Sequence, residues 1–178
     1  ELRNPLTAIT FAADILHKEE HHLNAHKRQK FIERIQVAAQ SLNALLEDIL
    51  VLERASTNHL EYTPQPLDLV TFCEEMVETF QFTSEQAHRF TLQVNGAAQM
   101  VESDEKLLWH LLNNLLSNAM KYSPLGGAIV LHLNFEPKTV QIKVEDQGIG
   151  IPAYALSQLF VPFQRASNVG AIPGTGLG

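Results

Sequence analysis

The sequence predicts an α+β protein of two domains, an antiparallel helical hairpin followed by an α/β sandwich built on a mixed sheet. Three observations support this. Apolar residues recur in alternating steps of four and three early in the chain, a polar segment with two prolines interrupts that pattern, and alternation of period two appears only later. These changes divide the chain into a hairpin over 1–56, a linker over 57–67 and a second domain over 68–178.

Two N-terminal stretches carry an apolar stripe typical of helices. The longer stripe consists of Phe31, Ile35, Ala38, Leu42, Leu45, Ile49 and Leu52. The shorter stripe consists of Leu2, Leu6, Ile9, Ala13 and Leu16. The polar stretch 19–26 between them has a length suited to a helical hairpin.

A second apolar row on the longer helix indicates that the hairpin has further neighbours. Ile32, Ala39 and Leu46 widen its apolar face to that of a helical bundle. One hairpin has too few faces to bury both rows, so we expect two copies of the chain to form a dimeric four-helix bundle. Packing of the hairpin against the second half of the same chain is the alternative.

The helices of the second domain are predicted from their caps and apolar spacing. Pro64 and Pro66 force extended backbone before them, which indicates the linker. Asp68 can then cap a helix that runs to about Gln86. The residues expected on its buried side are Leu69, Phe72, Met76, Val77 and Phe80. Another helix is expected from Ser103 or Asp104 to about Tyr122, and a short helix after Pro152.

Three segments alternate in the manner of half-buried strands. Their apolar positions are Phe90, Leu92 and Val94, then Ile129, Leu131, Leu133 and Phe135, then Val140, Ile142 and Val144. Because every second residue is polar, we expect a mainly antiparallel or mixed sheet that helices cover on one face.

Composition excludes several classes of partner and site. Thirteen Lys and Arg against twenty Asp and Glu give a net charge of −7, which argues against a nucleic-acid partner. Cys73 is the only cysteine, so an internal disulfide and a multi-cysteine zinc site are excluded, and a cytoplasmic location is expected. We expect the chain to be a piece of a longer protein, whose membrane anchor, if any, lies outside it.

Asparagines on the predicted helix over 107–122 form the first candidate site. Asn114, Asn118 and Lys121 fall within about 60° of one another at the helical period of 100° per residue. Leu112, Leu115, Leu116 and Ala119 cluster on another face. Amide oxygens can bind a hard cation such as Mg²⁺. A solvated polar face is the alternative.

Glycines mark two further candidates. Asp146 ends a predicted strand and precedes Gly148 and Gly150, so a carboxylate there could accept a hydrogen bond from an exocyclic amine while backbone approaches the ligand. A plain turn is the competing interpretation. The glycine-rich end over 170–178 suits a phosphate-binding lid or, equally, an irregular terminus.

Four segments in this order resemble the motifs of sensor histidine kinases. They are 114–124 for the N box, 146–151 for the first glycine box, 160–163 for the F box and 174–178 for the second glycine box. The opening residues 1–7 resemble the rest of that family's H box. By this resemblance, the phosphoacceptor histidine would lie directly before Glu1.

This resemblance covers nearly the whole chain and implies a fold and a function. The fold would be a dimerisation and phosphotransfer hairpin followed by a catalytic domain of the Bergerat ATPase type. The function would be ATP- and Mg²⁺-dependent autophosphorylation of the hairpin histidine, then transfer to an aspartate on a response-regulator receiver domain. The implied partners are a second copy of the chain and that receiver domain.

The resemblance also assigns roles to residues. Asn118 would bind Mg²⁺, Asn114 would lie beside the phosphates and the metal, Lys121 would lend positive charge to the phosphates, and Tyr122 would flank the nucleotide. Asp146 would accept the adenine amino group. Gly148 and Gly150 would let the backbone close on the base.

The remaining roles concern the ends of the chain. The end of the lid over the phosphates would consist of Gly174, Thr175, Gly176, Leu177 and Gly178. Phe160 and Phe163 would hold the base of the lid. Glu1 matches the acid that accepts the imidazole proton, and Asn4 matches the residue that orients water during dephosphorylation of the regulator.

Two other functions remain open from the sequence. A stand-alone ATPase of the gyrase and chaperone type would explain the second domain but not the H-box segment. A pseudokinase that acts as an interaction scaffold would require damaged motifs, and these are intact as far as they extend. Because the sequence has no histidine before Glu1, we expect this fragment itself not to autophosphorylate.

Overall fold

The computed structural model describes residues 3–18, 23–56, 61–84, 87–162, 164–170 and 172, without the side chains of 44, 47, 48, 51, 52 and 54–56. The chain divides into two compact units, one from the first 60 residues and one from residue 61 onward. None of the described helices is long and apolar enough to cross a membrane.

The first unit is a helical hairpin. Helix α1 (Arg3–Lys18) packs against helix α2 (Ala25–Ser56). Asn24 caps α2, because its side-chain oxygen accepts the Lys27 backbone N–H at 2.8 Å. The hairpin predicted from the apolar spacing is confirmed.

The two apolar rows of α2 differ in burial. Ala38 and Leu45 of the first row are buried, and the other described members of that row are half-buried. In the second row, Ile32 is 38% exposed and Leu46 is 55% exposed. The first row therefore packs within the hairpin, and part of the second row is left uncovered by the single chain.

The stripe predicted for α1 is only partly buried within the single hairpin, and its first member, Leu2, lies outside the described residues. Leu6 is 58% exposed and Ala13 is exposed, whereas Ala12 is the buried residue of this helix. Ile9 and Leu16 are half-buried as expected. Spacing selects a set of residues within one face, but the partner helix decides which edge of that face is covered.

The second unit is a sheet with helices on one face. Helix α3 (Leu69–Thr83) and helix α4 (Glu105–Lys121) cover strands β2 (His88–Asn95), β4 (Gly127–Phe135) and β5 (Val140–Glu145). Strand β4 is central, parallel to β2 and antiparallel to β5. The mixed sheet expected from the half-polar alternation is confirmed.

The core lies between this sheet and the two helices. Its fully buried members include Ile129, Leu131 and Leu133 of β4, together with Leu112 and Leu116 of α4. Full burial of a Leu or Ile side chain contributes about 1.5–3 kcal/mol. This packing makes α4 a rigid support for the polar residues on its other side.

A pair of short strands completes the second unit, and one of the two lies in the region predicted as linker. Strand β1 (Gln65–Leu67) pairs antiparallel with β3 (Val101–Ser103). The linker expectation over 57–67 was therefore wrong for residues 65–67, while residues 57–60 lie outside the described part of the chain. Strands of three residues are too short for alternation to reveal them. A short 3₁₀ helix, Ala153–Gln158, follows Pro152 as expected.

Candidate functional site

Helix α4 presents one polar and one apolar side. Its first turn is capped by Asp104, whose carboxylate accepts the Leu107 backbone N–H at 3.1 Å. Leu112, Leu116 and Ala119 face the core. The predicted polar residues Asn114, Asn118 and Lys121 are half-buried. Leu115, predicted on the apolar side, is 44% exposed instead.

The C-terminal end of α4 places a cation beside an aromatic ring. Tyr122 ends the helix, and its backbone N–H donates to the Asn118 carbonyl at 2.9 Å. The Lys121 Nζ lies 4.8 Å from the centre of the Tyr122 ring. A cation–π contact at such a partly exposed site contributes about 0.5–1 kcal/mol. The contact with the Tyr122 ring keeps the Lys121 ammonium at the C-terminal end of the helix that carries the two asparagines.

The loop after β5 holds the Asp146 carboxylate from one side. Its Oδ1 accepts the Gly148 backbone N–H at 2.8 Å and lies 3.5 Å from the Ser123 hydroxyl, which donates toward it. Both of these contacts reach the same oxygen. The carboxylate is exposed, so its Oδ2 can serve a ligand as a hydrogen-bond acceptor.

Gly148 joins this loop to the end of α4. A Cβ at this position would lie 2.2 Å from the Tyr122 carbonyl oxygen, so a side chain does not fit. The next residue, Ile149, donates its backbone N–H to that same carbonyl at 3.0 Å. The close backbone approach brings Asp146 next to the end of the helix that carries Asn114 and Asn118.

Gly150 and Asn168 form the outer part of the loop. Gly150 adopts φ +66°, and its carbonyl accepts a hydrogen bond from the Asn168 side chain at 2.9 Å. Sequence analysis assigned no individual role to Ser123, which lies in the N-box segment, or to Asn168, which lies beside the glycine-rich end. Their polar side chains beside glycine-containing motifs were the only signal.

The structure describes most of the predicted site residues. It brings together Tyr122, Asp146 and Gly148, and it places Asn114, Asn118 and Lys121 on the adjoining helix. Asn4 is exposed on α1, in the other unit. Phe160, expected at the base of the lid, is 97% exposed, and Phe163, expected there with it, lies outside the described residues. Glu1 and the predicted lid residues Gly174, Thr175, Gly176, Leu177 and Gly178 lie outside the described residues.

The chemistry of these groups suits two kinds of contact with a ligand. An exposed carboxylate beside closely packed backbone suits a flat base that carries an amino group. Amide oxygens on α4 suit a hard cation that takes its other ligands from phosphates and water. The side-chain oxygen of Asn118 is such a ligand. Lys121 adds a positive charge on the same helix.

Comparison with known proteins assigns both units to families. Residues 1–58 match the His Kinase A (phospho-acceptor) domain. Residues 103–178 match the family described as Histidine kinase-, DNA gyrase B-, and HSP90-like ATPase. The two matches occur in the order expected for a two-component kinase, and the chain belongs to the sensor histidine kinases.

Individual relatives agree with this assignment. Sensor histidine kinase WalK of Bacillus subtilis is 30% identical over the whole of this chain, which spans 30% of that protein. Adaptive-response sensory kinase SasA of Thermosynechococcus vestitus is 32% identical, and the chain spans 49% of it. The chain thus covers half or less of these relatives. The Acinetobacter baumannii histidine kinase AdeS shares the fold, with a TM-score of 0.74 at 21% identity over 99% of this chain and 81% of that one.

Proposed function

We propose that this chain is the cytoplasmic core of a sensor histidine kinase. In the full protein, ATP and Mg²⁺ support phosphorylation of a hairpin histidine, and the phosphoryl group then passes to the aspartate of a response regulator. The same hairpin also supports dephosphorylation of that regulator through Asn4. Residues 1–58 match a phosphoacceptor domain, which a stand-alone gyrase or chaperone ATPase does not explain.

One observation carries the nucleotide part of this proposal. The Asp146 carboxylate is held at Oδ1 by Gly148, against the end of the helix that bears Asn114, Asn118 and Lys121. An ionised carboxylate accepts hydrogen bonds and donates none, so Oδ2 favours an amino group such as that of adenine. A Cβ at Gly150 would meet nothing within 4 Å, so this glycine leaves room for the base to approach the backbone, whereas Gly148 permits the close contact with the Tyr122 carbonyl.

The Mg²⁺ ion would supply charge neutralisation at the phosphates. Asn118 is the residue proposed to bind it, since an amide oxygen suits a hard cation. Asn114 is placed one helical turn away on the same side of α4, and Lys121 contributes its charge to the phosphate oxygens. The lid over 174–178 is proposed to cover the phosphates with backbone N–H groups.

The proposed partners are a second copy of the chain and a receiver domain. The uncovered apolar residues Ile32 and Leu46 on α2 support a hairpin dimer. A fold neighbour, histidine kinase ThkA, has been solved in complex with response regulator protein TrrA, with a TM-score of 0.67 at 21% identity over 93% of this chain and 48% of that one. This likeness supports a response regulator as partner.

Titration calorimetry with ADP and Mg²⁺ tests the nucleotide site. Asp146→Asn keeps an oxygen for Gly148 but places an amide donor opposite the adenine amine. We expect its ADP affinity to fall about tenfold to a hundredfold, the effect of losing a hydrogen bond to a charged group. Asn118→Asp should instead change the Mg²⁺ dependence of ADP binding.

Asp14→Asn provides the matched control, since it makes the same chemical change at an exposed position of α1. It should leave ADP affinity unchanged. Equal ADP affinity in wild type and Asp146→Asn would exclude base recognition by this carboxylate. The measurement should be made on this chain and on the longer protein that contains it, because the lid lies at the end of this chain.

A further inference from the structure

Ser123 is a buried polar residue directly behind the Asp146 carboxylate. It is 2% exposed, and its hydroxyl lies 3.5 Å from Asp146 Oδ1. A buried hydroxyl requires a hydrogen-bond partner, and contacts of this kind are often long before a ligand binds. The hydroxyl is thus placed to act on the carboxylate without being in reach of solvent.

The backbone of Ser123 is held by His88. The His88 Nε2 lies 2.8 Å from the Ser123 carbonyl oxygen. A carbonyl only accepts hydrogen bonds, so Nε2 carries the hydrogen in this contact. The Gly126 backbone N–H donates to the same carbonyl at 2.9 Å. Two donors therefore fix the turn after α4.

His88 itself is anchored by the end of α3. Its backbone carbonyl accepts hydrogen bonds from Gln81 Nε2 at 3.1 Å and from the Ser84 hydroxyl at 3.3 Å. Its ring lies 6.4 Å from the Phe90 ring, measured between centres. The chain of contacts from α3 through His88 to Ser123 thus ends at the candidate base-reading carboxylate.

We propose that Ser123 is a positioning residue that sets the adenine specificity of the site by orienting Asp146, with His88 holding Ser123 in place. This inference rests on the proposed nucleotide function. Rotation about the Cβ–Cγ bond of an aspartate is broad, so the carboxylate needs external contacts to keep one orientation. The Ser123 hydroxyl and the Gly148 N–H both act on Oδ1, which leaves Oδ2 directed to the amino group of the base.

A comparison of ADP with IDP measures this orientation. IDP carries an oxygen where ADP carries the 6-amino group, so it presents an acceptor to a carboxylate that needs a donor. Affinities for both nucleotides should be measured with wild type, Ser123→Ala and Ser123→Thr. Thermal melting without nucleotide should be recorded for each variant.

We expect wild type to prefer ADP, and Ser123→Ala to reduce the ratio of ADP to IDP affinity by about threefold to tenfold, as for loss of one hydrogen bond. Ser123→Thr keeps the hydroxyl and should restore most of the ratio. Thr79→Ala is the control, because the exposed Thr79 hydroxyl donates to the Glu75 carbonyl within α3 at 2.8 Å and has no described contact with His88, Ser123 or Asp146. It should leave the ratio unchanged.

His88→Phe gives a second, independent measurement, since it keeps the ring and removes the N–H. We expect it to reduce the ratio by about twofold. If Ser123→Ala does not fold, the affinity ratio of His88→Phe tests the positioning role instead. An unchanged ratio in folded Ser123→Ala, or in His88→Phe when only that variant folds, overturns the positioning role while leaving the nucleotide function intact. Failure of wild type to prefer ADP overturns base recognition by Asp146 and, with it, the positioning role of Ser123.

Discussion

Asp104 joins Thr63 to the first turn of α4. Its Oδ2 accepts the Thr63 backbone N–H at 3.0 Å and the Thr63 hydroxyl at 2.8 Å, while its Oδ1 caps α4 through Leu107. The helix that bears Asn114 and Asn118 is therefore tied at its start to the segment that precedes β1. Backbone hydrogen bonds from Thr63 and then from Leu107, followed by the Thr63 hydroxyl, lower the pKa of Asp104 to about 2.

Asp104→Asn should destabilise the second unit in a pH-dependent way. The folded-state pKa lies below the ordinary aspartate value of 3.8, so the ionised carboxylate stabilises the fold above about pH 4. That stabilisation is lost as the pH falls through 3.8 toward 2. We expect the variant to melt a few degrees below wild type at pH 7, because its amide cannot accept from both Thr63 and Leu107.

Melting curves across this pH range provide the test for Asp104. The difference between wild type and Asp104→Asn should shrink as the pH falls from 4 to 2. Glu102→Gln, at an exposed position two residues earlier, is the control and should show no such trend. A difference that stays constant with pH would show that the carboxylate charge is not what stabilises the cap.

Leu46→Glu should dissociate the proposed dimer without unfolding the hairpin. Leu46 is 55% exposed on the isolated chain, so its replacement leaves the α1–α2 contact intact. In a four-helix bundle the same glutamate would be buried and unpaired, at a cost of roughly 2–5 kcal/mol. We expect the dissociation constant to rise at least about tenfold, with helix content preserved.

Light scattering combined with circular dichroism separates these effects. Leu45→Glu should reduce helix content, because Leu45 is only 5% exposed within the hairpin itself. Gln40→Glu adds the same charge on the exposed side of α2 away from both apolar rows and should leave the dimer unchanged. A wild-type chain that remains monomeric at tens of micromolar would contradict the dimer.

Cys73 should report unfolding of the second unit. Its thiol is fully buried in the core, and this burial raises its pKa to about 12 from the ordinary cysteine value of 9.0. We expect no alkylation by iodoacetamide at pH 8 in the folded protein and rapid alkylation once urea unfolds the unit, as measured by mass spectrometry.

The raised pKa of Cys73 also predicts the direction in which stability changes at alkaline pH. Because the unfolded chain loses the thiol proton near pH 9 and the folded chain keeps it, stability should fall as the pH rises above 9. Cys73→Val removes this titration and is the control for it. Alkylation of the folded protein at the rate of a free thiol would contradict the burial of Cys73.

Glu1 and Asn4 should separate two activities of the full protein. A carboxylate next to the expected phosphoacceptor can accept the developing charge of the imidazole, so Glu1→Gln should slow autophosphorylation at least about tenfold. Asn4 would lie one helical turn from that expected histidine, where it could orient water without taking its proton. Asn4→Ala should slow dephosphorylation of the regulator and largely spare autophosphorylation.

Phosphate labelling of the full protein checks this prediction. The label should be labile in acid and stable in alkali, as expected for phosphohistidine. A label on a hydroxyl group, or loss of both activities to the same extent in Asn4→Ala, would contradict the assignment. Thr10→Ala, also at an exposed position of α1 but outside residues 1–7, serves as the control for general damage to this helix.

Several elements follow from local patterns that a few neighbouring residues determine. The steps of four and three along α2, the capping by Asp68 and Asp104, and the alternation through β4 each predicted an element that the structure contains. Periodicity is a property of one helix or strand, so it is visible in the sequence. The motifs around Asn118 and Asp146 are likewise visible in the sequence. Their residue types occur in the order typical of the family, and this order was enough to identify it.

The tertiary structure decided what depends on residues far apart in the chain. Strands β1 and β3 exist because each supplies the other's hydrogen bonds, and three residues show no period on their own. Ala12 rather than Ala13 is buried because α2 covers that edge of α1. The contact of Ser123 with Asp146 spans 23 residues of sequence and arises only where the end of α4 meets the loop after β5. Sequence spacing supplied the candidate groups, whereas packing between distant segments determined which of them touch.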